Sequence, residues 1–416
     1  MEDIGLTLQD IRDAKQRIKT HAVETPVSYT ANLSQMCDCN LNFKLETLQR
    51  CRAFKFRGAL SKITKLPPGS TVCCVSAGNH SQGVALSATL CGMTSKVYMP
   101  ITAPIAKVNA TEGYGATVIQ AGLSFEEASA KCQEDRLAHP DWIFIPPFDD
   151  RDVMAGQGTI GLEILDQIPD VDTVVVAVGG GGLAAGVATA IKSIKPSCRV
   201  IAVNASVRAN TYKKFQECKG RKIEGVEENF KGVPLADGIN VKVPGHLTFP
   251  IVEKYVDEFV IVSEDDIAES IALLAERAKI ISEGAGAAPF AALLKKKFEY
   301  KSGEKIVCIV SGGNIELTML SRCIDRSLFL WGRRIHFNVS LPLSTDEFIK
   351  MLELLRKYHI EIISTIVFPN ANCLANHIRY AITMDCPNPF VLEEINARFE
   401  ENGWEINRTE IHAKDE

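Results

Sequence analysis

A chain of 416 residues with 46% hydrophobic and 23% charged side chains can bury a large core over two or three domains, which argues against a disordered or low-complexity protein. A formal net charge of −5, from 46 basic and 51 acidic residues with no long basic run, counts against a nucleic-acid partner. No stretch approaches the run of about 18 apolar residues that spans a bilayer, and the opening MEDIGLTLQDIRDAKQRIKT reads as neither signal nor transit peptide, so a cytoplasmic protein without membrane contact is expected.

In chain order the first notable stretch is CRAFKFRG at 51–58, where Lys55 lies between Phe54 and Phe56 and is flanked by Arg52 and Arg57. A solvated lysine titrates at about 10.4, whereas one used as a nucleophile needs burial or a neighbouring cation to bring it toward about 7–8. The stretch alone fits either an exposed helix lysine or a nucleophile, and Arg52 and Arg57 either depress the amine or solvate the helix.

Short β-branched runs then alternate with helical stretches: TVCCVSA before HSQGVALSATLCG, SKVYMP before ITAPIAKVNATEGYG, and ATVIQA before SFEEASAKCQEDRLA. The rhythm resumes with DTVVVAVGGGG, LAAGVATAIKSIK and CRVIAVN, and again with KIVCIVSGGN at 305–314. It predicts strands and crossover helices around parallel sheets, an α/β fold. In such sheets ligands sit at the carboxyl ends of strands, where SAGN, VGGGG and SGGN all fall, so the three loops point to one site. The turn PPFDD at 146–150 carries Asp149, read as a turn former in preference to a substrate contact.

Four consecutive glycines, Gly179, Gly180, Gly181 and Gly182, between an apolar strand and an Ala-rich helix let backbone N–H groups converge on a phosphate. A dinucleotide fold is a rival reading of Gly180, Gly182 and Ala185, but it wants an acidic residue after the next strand, where this chain has Asn204. The turn Ser76, Ala77, Gly78, Asn79 and His80 offers amides to a carboxylate, and the Asn79 side chain can hydrogen-bond a phenolic oxygen. Thirteen cysteines are scattered without metal-ligand spacing, so reduced, mostly buried thiols and no metal are expected.

Past LFLWGRR the pattern changes. A strand at 334–341, a helix at 344–357, two strands, a helix and a last strand follow in β-α-β-β-α-β order, predicting a small ferredoxin-like domain over 331–416 after a larger one over 1–330, whose smaller lobe covers roughly 45–150.

Read together, FKFRGA, SAGNH, AGQGTIGLEI, GGGG, LADGINVKVPG, EGAGAA and SGGN resemble the fold type II pyridoxal-phosphate enzymes, most closely the threonine/serine dehydratases (threonine ammonia-lyases), over roughly residues 5–325. The resemblance implies two open twisted sheet lobes with flanking helices, and pyridoxal 5'-phosphate held as an imine on Lys55. Phe54 would pack near the ring, Asn79 hold its phenolic oxygen, Gly179 to Gly182 bind the phosphate and Ser311 face the pyridine nitrogen. Ser76, Ala77, Gly78, Asn79 and His80 would receive the substrate carboxylate. L-threonine would give 2-oxobutanoate and ammonia, and L-serine pyruvate and ammonia, by α,β-elimination.

Alternatives are serine racemase or 3-hydroxyaspartate ammonia-lyase activity, β-replacement as in cysteine synthases, or a non-catalytic amino-acid sensor. The synthases carry a threonine-serine-glycine-asparagine turn where this chain has SAGNH. Racemase-type relatives carry a serine where this chain has Ala77, and acidic metal ligands where it has Asn204 and Asn210. Residues 331–416 resemble an ACT domain, which implies an amino-acid effector and a homo-oligomer, dimer or tetramer, although LPLSTDEF replaces the usual glycine-containing turn. The competing reading is a domain used only for assembly.

Overall fold

The β-branched runs seen in the sequence become parallel strands. Thr71–Val75, Thr94–Met99, Thr117–Gln120 and Ile143–Phe144 form one four-stranded parallel sheet with Thr71–Val75 and Thr94–Met99 at its centre. A six-stranded sheet runs in the order Val27–Tyr29, Asn40–Leu45, Lys305–Val310, Thr173–Ala177, Arg199–Ala205 and Glu258–Val262, all parallel except Val27–Tyr29 at its edge. Thr173–Ala177 is buried along its whole length, as a parallel strand covered on both faces must be. The computed structural model describes residues 5–368, 374–386 and 388–408. Among these, no helix is long and apolar enough to cross a membrane.

Two compact units divide between Leu320 and Ser321, within the helix Leu317–Leu330 and ahead of residue 331, where the sequence pattern changes. Both parallel sheets belong to the first. In the second, Arg334–Pro342, Glu361–Phe368, His377–Asp385 and Glu405–Arg408 pair antiparallel, with the four strands in the spatial order second, third, first, fourth. That order, with helices Thr345–Lys357 and Leu392–Glu401 between strands, is the split ferredoxin-like unit. Its core is Phe337, Val339, Met351, Ile382, Phe399 and Trp404, and Ser344 caps the first helix by accepting from the Asp346 amide.

The helix Lys55–Ile63 buries Phe56, Ala59, Leu60 and Ile63 and packs on Asn79–Leu90 and Arg151–Gln167. Contact with the latter is close: a Cβ at Gly156 would lie 2.4 Å from the Arg57 carbonyl oxygen. Arg57 itself is 1% exposed. Its guanidinium donates from Nε and Nη2 to the two oxygens of Glu46, each at 2.8 Å, and from Nη1 and Nη2 to those of Glu163 at 2.5 and 2.8 Å. Lys44 joins through Glu163 Oε2 at 2.6 Å and the Thr25 carbonyl at 2.5 Å. Two cations and two carboxylates are thus mutually neutralised in the interior, and the forked geometry of arginine suits it to bridge both acids.

Arg57→Leu leaves two buried carboxylates with one cation. It is expected to lower the unfolding free energy by about 3–5 kcal/mol, read from a urea midpoint, with Arg57→Lys recovering part of the loss.

Candidate active site

The lysine segment is stitched to the end of the strand Lys305–Val310. Phe54 N donates to the Ser311 carbonyl at 3.0 Å, Gly313 N donates to the Arg52 carbonyl at 2.9 Å, and Ala53 bridges to Gly312. Lys55 therefore starts its helix beside Ser311, which is 2% exposed and whose hydroxyl no other described residue engages. The Lys55 Nζ donates to the Pro147 carbonyl at 2.7 Å. Burial lowers the amine to about 8, opposed by the Glu283 carboxylate. The arginines left undecided by the sequence are now placed. Arg57 turns its charge into the Glu46–Glu163 cluster, and Arg52 is an exposed loop residue at φ 58°.

Asn79, first residue of the helix Asn79–Leu90, donates from Nδ2 to Glu283 Oε1 at 2.6 Å and accepts from Asn314 Nδ2 at 2.8 Å. Glu283, at the start of Gly284–Leu294, is a site residue that sequence reasoning missed. Burial, with Asp237 adding to it, pushes its carboxyl up to about 7, while the Asn79 hydrogen bond and the Lys107 charge hold it down.

The glycine loop follows Thr173–Ala177 and leads into the helix Gly182–Ile194. Thr211 and Thr248 donate to the carbonyls of Gly179 and Gly180 at 2.6 and 2.5 Å, which satisfies those oxygens. No described residue accepts from the amides of Gly179, Gly180, Gly181 or Gly182, all of them buried. Gly181 sits at φ 95°, and a Cβ at Gly179 would lie 2.8 Å from the Ile239 Cα. Unpaired amides at a helix N-terminus suit an anion.

The turn at 76–80 offers fewer free donors than its sequence allows. Ser76 N bonds the Tyr98 carbonyl and Gly78 N bonds the Ser76 hydroxyl, leaving the amides of Ala77, Asn79 and His80 without acceptors among the described residues. His80 is buried and its Nε2 lies 2.9 Å from the Ile145 carbonyl. Asp149 accepts from the amides of His246, Leu247 and Thr248, so it anchors the loop beside the glycines rather than forming only its own turn.

Ion pairs link the two lobes around this region. Lys107, on the helix Ile105–Gly113, lies 3.8 Å from Asp237 and 3.6 Å from Glu316, and Lys242 pairs with Glu126. No group of three or more potential metal-binding His, Cys, Asp or Glu residues occurs among the described residues. Among the described residues no two cysteines form a disulfide, and most of the cysteines are buried.

Two parallel-sheet lobes that bring a buried, depressed lysine amine to the same edge as a glycine anion cradle define a class of enzymes built around a phosphorylated carbonyl cofactor. The chain belongs to the pyridoxal-phosphate dependent enzymes, whose family model matches residues 18–312. It is 46% identical over 330 residues to the catabolic L-threonine dehydratase of Staphylococcus aureus (strain N315), covering 78% of this chain and 93% of that protein. It is 42% identical over 336 residues to the L-threonine ammonia-lyase of Thermotoga maritima, covering 79% and 81%. The processed form of threonine deaminase isoform 2 from Solanum lycopersicum superposes with a TM-score of 0.71 at 33% identity, over 77% of this chain and 88% of that one. Maize serine racemase superposes with a TM-score of 0.70 at 32% identity, over 79% and 99%.

A carboxyl whose folded pKa is raised binds its proton more tightly in the native chain, so burying Glu283 costs increasing stability as pH climbs from 4.5 through about 7. Glu283→Gln removes that cost. Its melting temperature without cofactor should exceed that of the unmodified chain at pH 8, and the difference should shrink toward pH 5.

Proposed function

We propose that the chain is a pyridoxal-phosphate dependent L-threonine ammonia-lyase that also dehydrates L-serine, releasing ammonia with 2-oxobutanoate or pyruvate. The observation that carries this reading is the Lys55 amine, lowered to about 8 by burial, on the same edge as the unpaired Gly179–Gly182 amides. The likeness to L-threonine dehydratases and ammonia-lyases at 42–46% identity supports the substrate class.

The residues fit the cofactor. Gly179, Gly180, Gly181 and Gly182 would bind its phosphate through N–H groups that otherwise lack acceptors, and Lys55 would hold its aldehyde carbon. Asn79 would hold its phenolic oxygen, Phe54 pack near the ring and Ser311 face the pyridine nitrogen with its unengaged hydroxyl. When bound, the conjugated ring supplies an electron sink for the α-carbon of an amino acid.

Lys55, neutral once its proton is lost near pH 8, takes the α-proton. The amides of Ala77, Asn79 and His80, at a helix N-terminus, orient the substrate carboxylate. A serine hydroxyl cannot act as the counter-ion of a protonated pyridine as a carboxylate would, which favours prompt loss of the β-hydroxyl over transamination. The Ala77 methyl cannot return a proton to the opposite face, so elimination is favoured over racemisation despite the likeness to maize serine racemase. Asn210 donates its amide to the carbonyls of Val241 and Lys242, and neither it nor Asn204 supplies the acidic ligand that racemase-type relatives use for a divalent ion.

The second unit is read as an ACT-like module taking an amino-acid effector between copies of a homo-oligomer, and the protein as cytoplasmic. The ferredoxin-like strand order of the second unit supports the fold of an ACT-like module and no more than that.

Purified protein should show the visible absorbance of lysine-bound cofactor and release 2-oxobutanoate from threonine, and Lys55→Ala should abolish both. Retention of both by Lys55→Ala would sink the assignment. Threonine binding without ammonia release would instead mark a sensor. The same assay across serine and 3-hydroxyaspartate, with isoleucine and other amino acids added, reads substrate preference and regulation together.

A further inference from the structure

Cys51, four residues ahead of Lys55, starts a chain of hydrogen bonds whose direction is fixed at every step. Asn314 donates from Nδ2 to the Cys51 carbonyl at 2.9 Å and to Asn79 Oδ1 at 2.8 Å. A carbonyl oxygen only accepts, so the Asn314 atom that faces it is the nitrogen, and both hydrogens of that nitrogen are then spent. The Asn79 atom that receives the second hydrogen is therefore its oxygen. That turns the Asn79 nitrogen toward Glu283, where Nδ2 donates to Oε1 at 2.6 Å. The two ends of an amide differ only in their hydrogen bonding, and here one backbone carbonyl of the lysine segment settles two amides in succession.

The grip on Asn79 comes from the other lobe. Asn79 opens the helix Asn79–Leu90, whereas Glu283 caps Gly284–Leu294 and Asn314 follows the strand Lys305–Val310 of the six-stranded sheet. Glu283 N donates to the Gly312 carbonyl at 3.0 Å and Gly313 N to the Arg52 carbonyl at 2.9 Å, so both partners are tied by backbone to the residues around Lys55. Gly312 also leaves the space that the carboxyl group fills, since a Cβ there would lie 2.4 Å from Glu283 Oε1. Of the two hydrogens on Asn79 Nδ2, one goes to Glu283 and no described residue accepts the other.

We propose that Glu283 and Asn314 are positioning residues for Asn79: together they fix its amide so that the one N–H left over is presented to the phenolic oxygen of the cofactor. With the amide turned over, Oδ1 would meet that oxygen acceptor against acceptor, and the contact would be repulsive. A donor aimed at the phenolic oxygen favours its anion, so the orientation of Asn79 sets the charge that the oxygen carries. The inference rests on the reading of Asn79 as the residue that holds the phenolic oxygen.

The test compares full-length variants by two measurements that involve no turnover. One is the dissociation constant for pyridoxal phosphate added to cofactor-free protein; the other is the ratio of visible to near-ultraviolet absorbance once it is bound. The bound cofactor absorbs visible light when its phenolic oxygen is an anion and near-ultraviolet light when that oxygen keeps the proton, so the ratio reports the donor. Glu283→Leu and Asn314→Ala should each lower the ratio and raise the dissociation constant by about threefold or more, in the direction of Asn79→Ala. Glu283→Gln, whose side-chain oxygen can still accept from Asn79, should restore most of both. The two losses act at opposite ends of the chain, so either decides the case if the other variant does not fold. If either keeps the unmodified ratio while Asn79→Ala loses it, Asn79 needs no such support and the proposal is overturned. A Glu283→Gln ratio as low as that of Glu283→Leu overturns it too, because the carboxylate would then act through its charge and not by orienting the amide. An unchanged ratio in Asn79→Ala shows instead that the reading of Asn79 has failed, and the proposal falls with it.

Discussion

The guanidinium of Arg57 sits between Glu46 and Glu163, and because it lies two residues beyond Lys55 on one helix, it sets where the lysine points. Residues two apart on a helix face roughly opposite directions, so fixing Arg57 inward presents Lys55 on the other side. A charge buried this deeply is tolerable only when it is paired and its hydrogens are accounted for, and here Glu46, Glu163, Thr159 and the Val23 carbonyl accept from it. The partners come from the six-stranded sheet side and from Arg151–Gln167, so the lysine helix is referred to parts of the chain remote in sequence.

From that fixed helix the site is assembled by strand ends. Ser311 and Gly312 meet the residues just before Lys55, Asn79 meets Glu283 and Asn314, and the glycine loop is braced by Thr211 and Thr248. The electrostatics of the pair Lys55 and Glu283 follow from burial on both sides. Each is pushed toward its neutral form, the amine down to about 8 and the carboxyl up to about 7.

Much of this was legible in the linear chain. Alternating runs located most strands of both parallel sheets, and glycine-bearing turns after them marked the candidate site because parallel sheets expose their carboxyl ends. What escaped has a common cause. Asn40–Leu45 buries Asn42 and Lys44, so its pattern lacks the apolar signature of an interior strand. Arg57 reads as a helix-surface cation because its acids are 11 and 106 residues away. Glu283 belongs to a glycine-rich stretch whose shape, not its acid, stands out, and the orphaned Nδ1 of His80 exists only once Ile145 has claimed the other nitrogen.

The ion pairs of the first unit fall into two kinds. The Arg57 cluster is shut away from counterions, whereas Lys242 and Glu126 are largely exposed and Lys107 reaches exposed Asp237 and Glu316 from a partly covered position. Dissolved salt weakens exposed pairs over a distance of about 10 Å at 0.1 M and barely touches enclosed ones. Ionic strength therefore acts on this protein unevenly: it loosens the bridges between the lobes while the bed beneath the lysine keeps its geometry.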